Sequence, residues 1–244
     1  MYERVGKAVS DTLKNNFFPV VISGDHATAG ATIAGIRMAK PKSKLGVIWI
    51  DAHADLHTPY TTPSGNMHGM PMAISLGIDN KECAVHKPDS LTLEYWNKLK
   101  HIGKICPKVS PADIVFISIR DFEKEEKNLL DRLGIKKISA KEIRSKGAEN
   151  IVRSILRYLS DCTDIYLSFD VDCLDASISK GTGTPVSNGL TVREAGNLLS
   201  RLLTSDKVCC FEMVEINPTL DKENLMAENA FEILVRATNS LLND

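Results

Sequence analysis

The sequence predicts a single-domain α/β protein, with a three-layer α-β-α arrangement around a mostly parallel sheet. Short apolar runs alternate with helical patterns from end to end, which is typical of parallel strands joined by helices. A chain of 244 residues is within the range that one core can hold, and no linker, internal repeat or low-complexity tract divides it. We therefore expect one domain, residues 1–244.

Six apolar runs provide the strands of this sheet. They are short and rich in Val, Ile and Phe, as strands buried on both faces should be. The predicted strands are Phe18–Ser23, Leu45–Ile50, Asp113–Ile119, Ile135–Ile138, Asp164–Phe169 and Val208–Met213.

Helical patterns fill the segments between the strands. Apolar residues repeat with a period of 3.6 in Glu3–Asn16, so the chain is expected to begin on a helix. Ser139–Glu142 and Thr191–Glu194 have the sequence of capping boxes, which start helices. The last helix is expected to run from about Asn224 to Leu242.

Charge and composition limit the class of partner. A net charge of −1 and a pI near 6.6 give no strong field of one sign, so neither nucleic acid nor a membrane surface is expected as a partner. No apolar run approaches the roughly 20 residues that span a bilayer, and the first residues lack the apolar core of a signal peptide. The six cysteines show no paired spacing, so we expect reduced thiols in a cytoplasmic protein.

Four of the apolar runs end in polar clusters. The carboxyl ends of parallel strands meet at one edge of a sheet, where ligands bind. We therefore expect these clusters to converge. They are Gly24–His26, Asp51–Asp55, Asp170–Asp172 and Val214–Pro218.

The spacing within these clusters predicts a metal site. Residues two apart share a face in extended chain, so Asp51, His53 and Asp55 can point the same way, as can Asp170 and Asp172. Four gathered carboxylates repel each other unless positive charge compensates them, and two divalent cations balance four Asp charges. Mixed carboxylate and imidazole ligands favour Mn²⁺ over Mg²⁺. A structural zinc site would be expected to use thiolates, and no cysteine pair is suitably placed.

The same motifs resemble a known family. Gly24–His26, Asp51–Asp55 and Ser168–Asp175 look like the three signature motifs of the ureohydrolases, which include arginase, agmatinase and formimidoylglutamase. The motifs occur in the family's order and cover the chain from about Val20 to Pro218. Among these enzymes the chain is most similar to arginase, so the resemblance implies an arginase-like fold.

The resemblance implies two Mn²⁺ ions per subunit and assigns their ligands. Asp51 and Asp170 would bridge the pair. The first ion would be held by His26, Asp51, Asp55 and Asp170, and the second by Asp51, His53, Asp170 and Asp172.

The activity implied by the resemblance is the conversion of L-arginine to L-ornithine and urea. A hydroxide bridging both ions would attack the guanidinium carbon. Asp172 would accept a hydrogen bond from the hydroxide and pass its proton to the leaving amine. His68 would protonate the departing amine, a task that suits an imidazole, and Glu215 would pair with the guanidinium cation.

The resemblance also assigns substrate contacts. The segment Ser64–Gly69 is similar to the arginase segment that binds the amino-acid part of the substrate, with Ser64 and Asn66 as its contacts. Thr184 matches a threonine near the guanidinium, although it could equally be a turn residue.

Two residues depart from the arginase pattern at the amino-acid end of the substrate. His57 stands where arginases usually carry an Asn that holds the α-carboxylate, and an imidazole can still donate to a carboxylate. Glu123 stands where arginases use an Asp for the α-amino group. These changes leave the metal chemistry untouched and open the choice among arginine, agmatine, a guanidino acid and formimidoylglutamate.

The start of the chain is a further departure. Family members commonly carry additional residues before this point, including the first strand of the sheet. The domain is therefore apparently short at its N-terminus, and we expect a rearranged sheet, a second chain that fills the gap, or a fragment. The resemblance implies a homo-oligomer, a trimer or hexamer.

Two other classes of function compete with hydrolysis of a guanidine. A non-catalytic metal-binding homologue would fit the short N-terminus, but six retained metal ligands argue against it. A single-zinc deacetylase on a related fold would need one ligand set and a catalytic His pair. The presence of all four of Asp51, Asp55, Asp170 and Asp172 does not fit that class.

Overall fold

The computed structural model describes residues 1–178, 180–221 and 223–241. Its strands form one sheet in the order β1-β6-β5-β2-β3-β4, and every neighbouring pair is parallel. The predicted parallel sheet is therefore confirmed. The strands are β1 (Val20–Ser23), β2 (Leu45–Ile50), β3 (Ile114–Ile117), β4 (Lys136–Ile138), β5 (Asp164–Asp170) and β6 (Val208–Val214).

Helices cover both faces of this sheet. One apolar core joins the sheet to α1, α2, α3 and α5, and a second joins it to α6–α9. The three-layer prediction is confirmed. The helices are α1 (Tyr2–Lys14), α2 (Thr28–Ala39), α3 (Pro71–Leu76), α4 (Ser90–Lys100), α5 (Lys124–Leu133), α6 (Ala140–Lys146), α7 (Ala148–Tyr158), α8 (Val192–Leu202) and α9 (Leu225–Thr238).

Strand alternation divides the core between the two layers. In β2, Ile48 and Ile50 face the core under α6–α9, whereas Val47 and Trp49 face the core under α1 and α2. On that second side α1 and α2 pack closely, because a Cβ at Gly35 would lie 2.5 Å from the carbonyl oxygen of Gly6. Helix α2, which follows β1 in the chain, is therefore held against α1.

Several element boundaries differ from the sequence prediction. The predicted strand from Asp113 begins one residue later, because Pro111–Asp113 forms a 3-10 turn. Both predicted capping boxes are present, at Ser139 and at Thr191. The last helix ends at Thr238 and a 3-10 turn follows it, whereas Leu242 lies outside the described residues.

The predicted burial of β1 on both faces is wrong. This strand is the edge strand, paired only with β6, and the side chain of Ile22 is 62% exposed. Within the described sheet there is accordingly no interior gap, since the sheet ends at β1. No helix in the described ranges is both long enough and apolar enough to cross a membrane.

A buried lysine gives a testable pH dependence of stability. Lys108 is buried and donates from Nζ to the carbonyl of Lys100 at the end of α4. Burial lowers the pKa of Lys108 from 10.5 to about 8. Between these two values the unfolded chain keeps a proton that the folded chain has lost, so the free energy of unfolding rises with pH by about 3 kcal/mol through this residue.

We expect Lys108→Met to abolish that rise. Chemical denaturation at pH 7.5 and pH 10.5 would give the free energy of unfolding for the wild type, for Lys108→Met and for the exposed control Lys141→Met. From pH 7.5 to pH 10.5, the free energy of unfolding of the wild type should rise relative to that of Lys108→Met. An unchanged difference between the two proteins would show that Lys108 keeps its ordinary pKa.

Candidate metal centre and substrate cavity

The four polar clusters converge as predicted. They follow β1, β6, β5 and β2, which are neighbours in the sheet, and they meet in a cavity of about 440 Å³. Every predicted site residue lines this cavity except Asp51, which is fully buried beside it. The predicted residues in the lining are His26, His53, Asp55, His57, Ser64, Asn66, His68, Glu123, Asp170, Asp172, Thr184 and Glu215.

The first ligand group is centred on His26. Its Nδ1 atom lies 3.0 Å from Oδ2 of Asp51, 3.1 Å from Oδ2 of Asp55 and 3.1 Å from Oδ2 of Asp170. All four side chains are buried. Asp55 reaches this position from a left-handed backbone conformation, φ 51°, just beyond β2. The predicted first set of four ligands is thus brought together.

The second ligand group is centred on His53. Its Nδ1 atom lies 2.9 Å from Oδ2 of Asp172 and 3.5 Å from Oδ1 of Asp51. Asp51 therefore faces both groups, one through each carboxylate oxygen. Asp170 faces the first group through Oδ2, while its Oδ1 accepts a hydrogen bond of 2.8 Å from the amide of Asp172.

The electrostatics of these groups favour a cation. Burial and the neighbouring carboxylates Asp172 and Asp51 raise the pKa of Asp170 well above its usual range. Burial and Asp51 raise the pKa of Asp55 to about 6. Burial lowers the pKa of His53, but the carboxylates of Asp172 and Asp51 outweigh it and raise the value to about 12. Buried negative charge in this site thus attracts positive charge, whether protons or metal ions.

Two unsatisfied buried atoms show that a metal ion fits. His26 Nδ1 and Asp51 Oδ2 are buried and have no hydrogen-bond partner. The other ring nitrogen of His26, Nε2, lies 2.8 Å from Oγ of Ser168. When Nε2 carries the hydrogen and donates to Ser168, Nδ1 faces three carboxylate oxygens with its lone pair, an arrangement that a bound metal ion would stabilise. Mixed oxygen and imidazole donors suit a divalent transition metal.

Two residues that hold His26 were not predicted from the sequence. The imidazole stacks on the ring of Trp49 with the centroids 4.1 Å apart and the planes 8° apart. Ser168 pairs with Trp49 across β5 and β2. Each lies two residues before a predicted ligand, Asp51 or Asp170, on the same face of its strand. The period of two could therefore have found both.

Arg120 is a further unpredicted residue, and it fixes the loops around Asp172. Its guanidinium donates to the backbone carbonyls of Asp172, Leu174, Val186 and Ser187 at 2.8–3.2 Å. These bonds tie the end of β5 to the loop that carries Thr184 towards the cavity. Arg120 does not line the cavity, because its guanidinium is directed into the backbone.

Glu215, Thr184 and His68 line the cavity from three separate segments of the chain. Glu215 adopts φ 68° directly after β6, and its Oε1 atom accepts a hydrogen bond of 2.7 Å from the amide of His26. Burial raises the pKa of Glu215 above its usual value. Thr184 donates to Oδ2 of Asp172 at 3.1 Å. His68 is one-third exposed, with Nδ1 3.9 Å from Oε1 of Glu215.

The cavity lining also includes a His–Glu–Glu cluster formed by His57, Glu123 and Glu126. His57 Nε2 lies 2.9 Å from Oε2 of Glu123 and 3.4 Å from Oε2 of Glu126. Glu126 is buried, and its Oε1 atom accepts a hydrogen bond of 2.9 Å from the amide of Leu56. The sequence motifs gave no signal for Glu126. Its place here follows from the packing of α5 against the chain beyond β2.

Comparison with known proteins is consistent with this site. The model of the arginase family matches residues 1–239. The arginase of Brevibacillus brevis is 39% identical over 233 residues, which are 95% of this chain and 72% of that protein.

Solved structures give the same result. The native arginase structure from Bacillus caldovelox superimposes with a TM-score of 0.83 at 36% identity, over 97% of this chain and 73% of that one. The Entamoeba histolytica arginase, solved in complex with L-ornithine, has a TM-score of 0.81 at 29% identity, over 97% of this chain and 76% of that one. This chain therefore belongs to the arginase family and is a hydrolase of the C–N bonds of linear amidines.

Proposed function

We propose that this protein is a binuclear manganese hydrolase that converts L-arginine to L-ornithine and urea. The observation that carries the proposal is the position of Asp51. It faces both ligand groups at once, one through each oxygen, as a carboxylate shared by two cations would. The relatives named as arginases and the L-ornithine complex of one of them support arginine as the substrate.

Manganese suits this donor set better than Mg²⁺, which prefers oxygen ligands alone, or a structural zinc ion, which would be expected to use thiolates. The two groups offer carboxylate oxygens and one imidazole each, and none of the site's ligands is a thiolate. When bound, such ions supply the charge that turns water into a nucleophile near neutral pH and stabilise the charge that develops on the substrate.

The side chains of the chain position the guanidinium. The carboxylate of Glu215 is oriented by the amide of His26 and faces the cavity, where it would accept hydrogen bonds from the planar cation. Thr184 and His53 both contact Oδ2 of Asp172. This fixes the carboxylate that would accept the proton from the attacking water and deliver it to the leaving amine.

His68 is placed to supply a second proton, which would convert the neutral amine released with the proton from Asp172 into an ammonium. Its ring lies beside Glu215 and is one-third exposed, so it reaches both the cavity and solvent. A proton taken from solvent at one ring nitrogen could thus be delivered inside the cavity.

The setting of the site is also proposed. We propose one domain over residues 1–244, because a single sheet with a core on each face includes elements from α1 to α9. A cytoplasmic location is supported by six cysteines that are all free. A trimer or hexamer is proposed from family resemblance.

The test measures products and metal together. Protein loaded with Mn²⁺ should release urea and L-ornithine in equal amounts from L-arginine. Removal of metal by a chelator should abolish turnover, and Mn²⁺ should restore it better than Mg²⁺ does. Protein that binds two ions but hydrolyses no guanidine would support a binding homologue instead.

A further inference from the structure

We propose that the cluster of His57, Glu123 and Glu126 relaxes the requirement for a substrate α-carboxylate. The protein would then hydrolyse guanidinoalkylamines such as agmatine alongside L-arginine. This inference rests on the proposed function and names the substrate class of the same site.

The Nε2 atom of His57 is directed at carboxylates of the protein. This atom faces two of them, at 2.9 Å in Glu123 and 3.4 Å in Glu126. The other ring nitrogen, Nδ1, is 3.2 Å from Oγ1 of Thr61, within the protein. A substrate carboxylate could accept from Nε2 only by displacing Glu123. The imidazole therefore does not replace the amide donor that the arginase pattern has at this position.

The net charge of the cluster is neutral or negative when Glu123 is ionised. Even with the imidazole and Glu126 both protonated, the cluster is neutral, and every other protonation state with ionised Glu123 is negative. Asp121, 63% exposed, adds another carboxylate to the cavity lining. Among the described residues, none of those that line the cavity is a Lys or an Arg. The surroundings of the cluster thus attract an ammonium group and give little attraction to a carboxylate.

Hydroxyl groups in the lining would still allow arginine to bind. Ser64 and Thr62 keep their hydroxyls in the lining, positioned by hydrogen bonds from the amides of Asn66 and Gly65. Neutral hydroxyls donate to a carboxylate without needing a cation. Glu123 is half exposed and can meet the ammonium that arginine and agmatine share. The carboxylate is tolerated but is not required.

The experiment compares three guanidines on the manganese-loaded enzyme. L-arginine carries ammonium and carboxylate, agmatine carries ammonium alone, and 4-guanidinobutyrate carries carboxylate alone. We expect kcat/KM for agmatine within about tenfold of that for arginine, and a value for 4-guanidinobutyrate lower by about a hundredfold. Agmatine turnover a thousandfold or more below that of arginine would overturn the inference.

Variants locate the effect. His57→Asn provides a neutral amide donor, so the ratio of arginine to agmatine kcat/KM should rise by about tenfold. Glu123→Gln should raise KM for arginine and agmatine with little change in kcat. Glu149→Gln, on the exposed face of α7, is the matched control and should change neither. A ratio unmoved by His57→Asn would also overturn the inference.

Binding of products separates this inference from the proposed function. Titration calorimetry on the metal-loaded protein should give similar affinities for L-ornithine and butane-1,4-diamine and weaker binding of 4-aminobutyrate. That order without any turnover would support the cluster's role and contradict the hydrolase. Turnover of arginine with 4-aminobutyrate bound as well as butane-1,4-diamine would support the hydrolase and contradict the cluster's role.

Discussion

Replacing Asp170 by Asn is expected to remove bound metal and lower urea release from arginine by about a thousandfold or more. The side chain is buried, its Oδ2 atom lies 3.1 Å from His26 Nδ1, and its Oδ1 atom accepts from the amide of Asp172. The amide keeps the shape but loses the charge that a cation needs. Metal content by mass spectrometry and steady-state rates on the same sample would measure both effects. Asp161→Asn, on a side chain that is 86% exposed, is the control.

Without bound metal, the Asp170→Asn variant should be more stable than the wild type. Burial and the charges of Asp172 and Asp51 disfavour the ionised form of Asp170. The neutral Asn side chain removes this unfavourable charge in protein from which a chelator has removed the metal. We expect a higher melting temperature than wild type with chelator and a lower one with Mn²⁺. A variant that keeps two ions and normal turnover would show that Asp170 is not a ligand.

Glu215→Gln is expected to lower kcat/KM for arginine by roughly a hundredfold while the metal content stays at the wild-type value. The amide oxygen can still accept from the amide of His26, so the loop after β6 should keep its conformation. The lost charge is the one that would pair with the guanidinium. Rates and metal content measured together separate the two roles. Loss of metal in this variant would instead mean that Glu215 mainly supports His26.

Most of the architecture could be predicted because parallel strands are encoded locally. The buried run Leu45–Ile50 is continuous and apolar, and its predicted bounds agree with β2. The burial of β1 was predicted wrongly, since Val20–Ser23 has the composition of an interior strand but lies at the edge. Strand order is a property of the whole chain, so the run itself carries no signal for it.

The metal centre was predictable for a related reason. Its ligands follow strands that become neighbours, so their convergence at one edge of the sheet was predictable. The extended spacing was not confirmed, because Asp55 adopts φ 51° and Asp172 lies in the 3-10 turn Val171–Cys173. Residues that act through tertiary contacts were not found. Arg120 is recognised only when the loops that accept its hydrogen bonds have come together, and Glu126 only when α5 packs beside His57.

His57 shows the limit of transferring a role by position. The resemblance implied an imidazole that donates to the substrate carboxylate. In the folded chain Nε2 is directed at Glu123, a residue 66 positions later. Both departures from the arginase pattern, at 57 and at 123, thus belong to one contact, which the sequence alone does not reveal.

Asp51 is the carboxylate that we propose two divalent cations share. Crystals grown with Mn²⁺ and measured at the manganese absorption edge would test this proposal most directly through an anomalous difference map. We expect two peaks on either side of Asp51, one beside His26 and Asp55 and the other beside His53 and Asp172. A single peak, or peaks that leave Asp51 without a metal contact, would contradict the proposal.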